Sequence, residues 1–134
     1  HVRVLGPERS ATQIELAQTD CRNIGIKAPV RSSGDTKGTP GVTLRGPNGT
    51  LTVPEGVMIA DRHIHMTPAQ AAAFGLADGD RVQVKIDGPK PGVMGGVLIR
   101  ANDKCALDFH IDTDDGNAFL LKQGQLVTVL GKEE

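Results

Sequence analysis

Three phenylalanines are the only aromatic residues in this chain, which has no Trp and no Tyr. Aromatic rings usually supply much of the buried area in a folded domain. Without them the core has to come from Val, Leu, Ile and Ala. Aliphatic side chains of this size suit the tightly filled interiors of small β-barrels, and the β-branched ones among them favour strands. At 134 residues the chain can bury about two-thirds of its unfolded surface, enough for a core without disulfide staples. One compact domain or two very small ones is the organisation expected.

The chain is punctuated into many short elements. Val2-Arg3-Val4-Leu5 alternates apolar and basic residues before Gly6-Pro7 breaks it, and Thr12 to Ala17 alternates again; both read as strands. Thr19-Asp20 is expected to cap one helical turn that ends at Gly25. "KAPVRSSGDTKGTPG", from Lys27 to Gly41, reads as a long loop, and long loops inside compact domains tend to be functional or mobile. Val42–Leu44 and Leu51–Val53 flank Pro47-Asn48-Gly49, a hairpin signal. Gly56 to His65 reads as one strand, and "TPAQAAAFG" as a helix capped by Thr67 with Pro68 in its first turn. Strands follow at Val82–Ile86, Val97–Arg100, "ALDFHID" and Gln125–Leu130, with a helix capped by Asp112 or Thr113 before the last. The helical segments are too short for βαβ crossovers, so no parallel sheet is expected. The fold class is mainly β, with small β-barrels capped by short α-helices.

Composition narrows the partners. The net charge is −1 and the basic residues are scattered, which argues against nucleic acid. No apolar run is long enough for a membrane span, and no secretory leader is expected. Cys21 and Cys105 stand alone, as isolated thiols in a reducing cytoplasm.

Chemistry concentrates on histidine. "ADRHIHMTP" places His63 and His65 at alternate positions, hence on one face of a strand. His110 repeats the arrangement of strand, histidine, helix cap. Neutral imidazole is a common metal ligand, and an i, i+2 pair can share one ion. The pair can equally hydrogen-bond to neighbouring carbonyls or face solvent. Glu15 is a candidate further ligand, because Ile14 and Leu16 face the other way. Asp112, Asp114 and Asp115 do not fit a calcium loop and read as helix capping. Arg9 and Arg31, in loop sequence, are candidate phosphate contacts through the planar guanidinium fork. Neither Ser32 nor Ser33 has a nucleophile-elbow context, and no cysteine has a histidine near it in sequence. A metal-assisted reaction fits better than a serine or cysteine mechanism.

"KAPVRSSGDTKGTPGVTLRGPNG", "ADRHIHMTPAQAAAFGLADGDRV", "LDFHIDTDDGNA" and "VRVLGPERSATQIELAQTD" together resemble the PduL-type phosphate propanoyltransferases, the phosphotransacylases of bacterial microcompartments. The resemblance runs from about Val2 to Leu130. It implies a reversible exchange of the CoA of propanoyl-CoA, or a similar short acyl-CoA, for inorganic phosphate. It implies a pair of β-barrels holding two zinc ions, with residues 1–55 the later part of the first barrel half and 56–134 the second half. Glu15, His63 and His65 match one metal's ligands, His110 matches a ligand of the second, and Arg9 matches a phosphate contact. Arg31 is the further substrate-binding candidate.

The family pattern also implies an opening segment with another His-x-His motif. His1-Val2-Arg3 is not one, so the sequence is expected to begin inside that pattern, with the second metal's ligand set incomplete and no shell-targeting peptide. The unfinished barrel would favour a homo-oligomer, and the expected location is cytoplasmic or inside a microcompartment. The implied reaction is direct attack by phosphate, with Arg9 neutralising its charge and no acyl-enzyme on Cys21 or Cys105. The alternatives are a non-catalytic zinc-bearing fragment or binding module, and a zinc-dependent thioester hydrolase.

Overall fold

The computed structural model describes residues 1–6 and 8–133; the break at Gly6-Pro7 falls partly on Pro7, outside the described residues. The protein is mainly β with short helices, as expected. It forms two compact units, His1–Ala60 and Asp61–Glu134.

In the first unit, β5 (Val57–Ala60) lies between β1 (Ile14–Glu15) and β2 (Val30–Arg31) and runs parallel to both. Helix α1 (Gln18–Asn23) follows β1, with Ala17 rather than Thr19 or Asp20 at its N-cap. A hairpin of β3 (Val42–Gly46) and β4 (Gly49–Val53) pairs Gly46 with Gly49, so Pro47-Asn48 makes the turn. Ile14, Val53 and Val57 form the core, with Leu16, Ile26 and Leu44 among the side chains packed on it. Two glycines permit the close backbone packing here. A Cβ on Gly41 would overlap the Val53 carbonyl, and one on Gly56, whose φ is +131°, would overlap that of Thr12. The strand expected at Val2–Leu5 has no ladder partner among the described residues, and Val4 is 98% exposed. Alternation makes a strand only where a second strand accepts its hydrogen bonds.

The second unit is one five-stranded sheet in the order β10–β7–β8–β6–β9. Its strands are β6 (His63–Met66), β7 (Arg81–Ile86), β8 (Gly92–Ala101), β9 (Asp108–His110) and β10 (Thr128–Lys132). The stretch read as a single strand from Gly56 to His65 is two, β5 and β6, interrupted at Asp61-Arg62. The units therefore divide at Ala60/Asp61, because β5 is paired with β1 and β2.

Parallel pairing is more prominent than the short helices suggested: β6 runs parallel to β8 as well. No crossover helix is needed there, since β7 is antiparallel to β8 and itself carries the chain back. Strand β7 alternates as read, burying Val82, Val84 and Ile86 completely; each such burial contributes about 1.5–3 kcal/mol. Ile64, Met66, Met94, Val97 and Ile99 belong to the same core cluster. All three methionines of the chain are in cores, with Met58 at 0% exposure. Flexible thioethers fill gaps that the missing aromatics leave.

Both helices of this unit start where their caps predict. Thr67 and Gln70 form a reciprocal capping box at α2 (Pro68–Ala73). Asp112 caps α3 (Thr113–Phe119) by accepting the Asp115 N–H at 2.8 Å.

Candidate metal centre and anion-binding loop

Strand β6 sends Ile64 (3% exposed) and Met66 (0%) into the core. Period-two geometry then forces His63 and His65 onto the opposite face. Strand β9 pairs antiparallel with β6, and its register sets His110 directly opposite His63. The three rings lie with centroids 4.6–5.0 Å apart. One ligand atom from each falls within 4.8 Å of the others. His63 and His65 are partly buried, His110 is exposed.

The rings are held from behind. The Asp61 carbonyl accepts from His63 Nδ1 at 2.7 Å. A carbonyl cannot donate, so the proton of a neutral His63 is on Nδ1 and the lone pair is on Nε2. That Nε2 lies 3.1 Å from His65 Nε2. Arg81 grips the Asp61 carboxylate at both oxygens, at 3.2 and 2.6 Å, which fixes the segment that carries the carbonyl. The same contact raises the Arg81 pKa. His65 Nδ1 lies 3.2 Å from Cys105 Sγ, and His110 Nε2 donates to Asp108 Oδ2 at 3.1 Å.

Burial lowers the His65 pKa below the usual histidine value, assisted by the positive potential of His63, His110 and Arg100. The shift favours the neutral ring, the form that binds a metal ion. Two imidazole nitrogens bound tetrahedrally to one Zn²⁺ at about 2.0–2.1 Å would stand about 3.3–3.4 Å apart, close to the 3.1 Å between the His63 and His65 Nε2 atoms. The donor set therefore fits a divalent transition metal such as zinc. A cavity of about 740 Å³ lies on the other face of these strands, with Ile64, Met66, Phe109 and Ile111 in its walls and none of the three histidines.

Arg9, Glu15 and Arg31 belong to the first unit. Arg9 is exposed and donates from Nη1 to Ser33 Oγ at 2.7 Å. Gln13 Nε2 donates both to Ser33 Oγ at 3.0 Å and to Glu15 Oε1 at 2.5 Å, while Gln13 Oε1 accepts the Gly34 N–H at 2.7 Å. A single network thus joins Arg9, Ser33, Gln13 and Glu15. Arg31 pairs with Asp35 at 3.4 Å, but off the line needed for a hydrogen bond, and among the described residues its buried Nε has no hydrogen-bond partner.

Sequence reading missed the parts played by Ser33, Gln13 and Cys105. Gln13 had a local signal, since it sits two residues before Glu15. Ser33 and Cys105 had none: Cys105 meets a histidine 40 residues away in the chain.

This mainly β chain brings three imidazoles from two strands into a group that could hold a metal ion. A family model described as phosphate propanoyltransferase matches residues 1–122, and the chain belongs to that family. It is 47% identical over 131 residues to a phosphate propanoyltransferase of Thermotoga maritima, covering 97% of this chain and 62% of that protein. It is 45% identical over 130 residues to one from Lachnoclostridium phytofermentans, covering 97% and 61%. Against one from Salmonella typhimurium it is 47% identical over 119 residues, covering 88% and 57%. The chain spans about three-fifths of the length of the curated relatives it matches.

Proposed function

We propose that this chain carries the working site of a phosphotransacylase that converts propanoyl-CoA, or a similar short acyl-CoA, and phosphate into acyl phosphate and CoA. The observation that carries the reading is the family match over residues 1–122. In the reaction a phosphate oxygen attacks the thioester carbonyl carbon and the C–S bond breaks. The proton of hydrogen phosphate passes, in net terms, to the departing CoA sulfur. The process runs in either direction.

His63, His65 and His110 would hold a zinc ion, and Glu15 is proposed as a metal ligand from the family resemblance. When bound, such an ion supplies Lewis acidity toward a carbonyl or phosphate oxygen. Arg9 binds the phosphate dianion through its guanidinium fork and offsets its charge. Ser33 supports that contact: its oxygen already accepts from Arg9 and Gln13, so its own O–H remains to donate to an anion. Gln13 also orients the Glu15 carboxylate. Arg31, at the end of β2 and two residues before Ser33, is the second candidate anion contact. No protein nucleophile is required, since thiolate leaves readily and the two substrates react directly once aligned. Association with a second copy of the chain, and with a microcompartment, rests on the family resemblance.

The test is CoA release from propanoyl-CoA by the zinc-loaded chain, with and without phosphate. Release that needs phosphate and is lost in Arg9→Ala and His65→Ala supports the transacylase. Release independent of phosphate would make it a thioester hydrolase. No release with either acceptor would make this chain a zinc-bearing piece that needs the further length its relatives possess.

A further inference from the structure

We infer that Cys105 is a positioning residue for His65: its sulfur holds the ring through Nδ1 so that Nε2 faces His63 Nε2. The inference rests on the proposed metal reading of the three histidines. The protons of the pair lead to it. Asp61 O fixes the proton of His63 on Nδ1, so its Nε2 presents a lone pair to His65 Nε2 at 3.1 Å. Two lone pairs cannot face each other at that distance without a proton or a cation between them.

Each case asks something different of Cys105. With a proton on His65 Nε2, Nδ1 is an acceptor, and the Cys105 S–H must donate to it across the 3.2 Å contact. With a metal ion between the rings, Nδ1 carries the proton and the sulfur must accept. Only a side chain that can both donate and accept keeps the ring in one orientation in both states; thiol and hydroxyl qualify, and a methyl does not. The geometry parallels His63, whose Nδ1 is anchored by a backbone oxygen. Outer partners of this kind orient metal-binding histidines.

Cys105 is itself well placed to be rigid. It is a free, partly buried thiol in the connection between β8 and β9. Its N–H bonds to the Asn102 carbonyl at 3.1 Å, and the Asn102 side chain accepts the Lys104 N–H at 2.8 Å. The thiol is thus delivered by a turn that His65 does not contribute to.

The test uses the full chain stripped of metal by chelation and titrated with Co²⁺, as wild type, Cys105→Ala and Cys105→Ser. Wild type is expected to develop cobalt d–d bands without a thiolate-to-cobalt charge-transfer band. Cys105→Ala is expected to weaken cobalt binding by about 10–100-fold, and Cys105→Ser to recover most of the loss. Equal affinity in wild type and Cys105→Ala would overturn the inference. So would a charge-transfer band that vanishes in Cys105→Ala, because the sulfur would then be a direct ligand.

Nitrogen NMR of the His65 ring in the metal-free chain provides the independent reading. A single Nε2–H tautomer is expected in wild type and Cys105→Ser, and a mixture in Cys105→Ala. An unchanged tautomer in Cys105→Ala would also overturn it. If wild type binds no cobalt or zinc, the metal reading fails by itself, and the tautomer measurement still decides the role of Cys105.

Discussion

Replacing Ile64 by alanine tests the packing that presents the histidines. Ile64 is 3% exposed and stands between His63 and His65, with Ile99 opposite on β8 and Phe109 opposite on β9. The substitution removes three carbons, about 2.4 kcal/mol at about 0.8 kcal/mol each. The cavity left in a rigid sheet raises the loss to about 3–4 kcal/mol. That is a large share of the roughly 5–15 kcal/mol that holds a domain folded. The readout is urea unfolding followed by far-UV circular dichroism, because the chain has no Trp or Tyr for fluorescence. Each protein is measured with a chelator and again with zinc at 100 times its dissociation constant, where binding to the native state adds about 2.7 kcal/mol. The mutant should lose about 3–4 kcal/mol in chelator yet gain the same zinc increment, since β6 keeps its backbone pairing. A loss under about 1 kcal/mol would refute the burial argument. A vanished zinc increment would refute the separation of core face from ligand face.

Single removal of His63 or His65 should weaken zinc binding more than removal of His110, measured by chelator competition, because His110 is exposed and already engaged by Asp108. Gly41→Ala should destabilise the first unit by about 1–3 kcal/mol or more in the same denaturation assay, as its Cβ would meet immovable backbone. Gly46→Ala, with nothing nearer than 3.9 Å, is the control and should change little. Asp80 accepts from Lys132 at 2.6 Å and from the Ala77 N–H, which hold its pKa below the ordinary value of 3.8. A depressed carboxylate contributes stability above its unfolded pKa and loses it as pH falls through the folded value. The stability gap between wild type and Asp80→Asn should therefore be full near pH 6 and close progressively below about pH 4. A gap that widens on acidification would contradict the pairing.

Features carried by a few neighbouring residues are legible in the amino-acid order alone. The alternation of Val82, Val84 and Ile86, the Thr67 and Asp112 caps, and the shared face of His63 and His65 all follow from backbone periodicity and local hydrogen bonding. Errors arise where a local pattern lacks a distant partner. Among the described residues Val2–Leu5 alternates without a strand to pair with, and Gly56–His65 is divided because its two ends pair with different neighbours.

Sequence by itself determined that this is a mainly β chain with an aliphatic core, and that two histidines stand on one strand face. Both depend on side-chain volume and on a period of two, which are properties of the covalent chain. Tertiary structure decided that His110 completes the cluster, that Cys105 backs His65, that Arg81 braces Asp61, and that Ser33 joins Arg9 to Gln13. Each of those contacts spans 20 to 47 residues of chain, from Arg81 to Asp61 at the short end to His63 and His110 at the long one. Such contacts depend on which strands become neighbours and in what register, and burial of Ile64, Met66, Val97 and Ile99 against one another settles that choice.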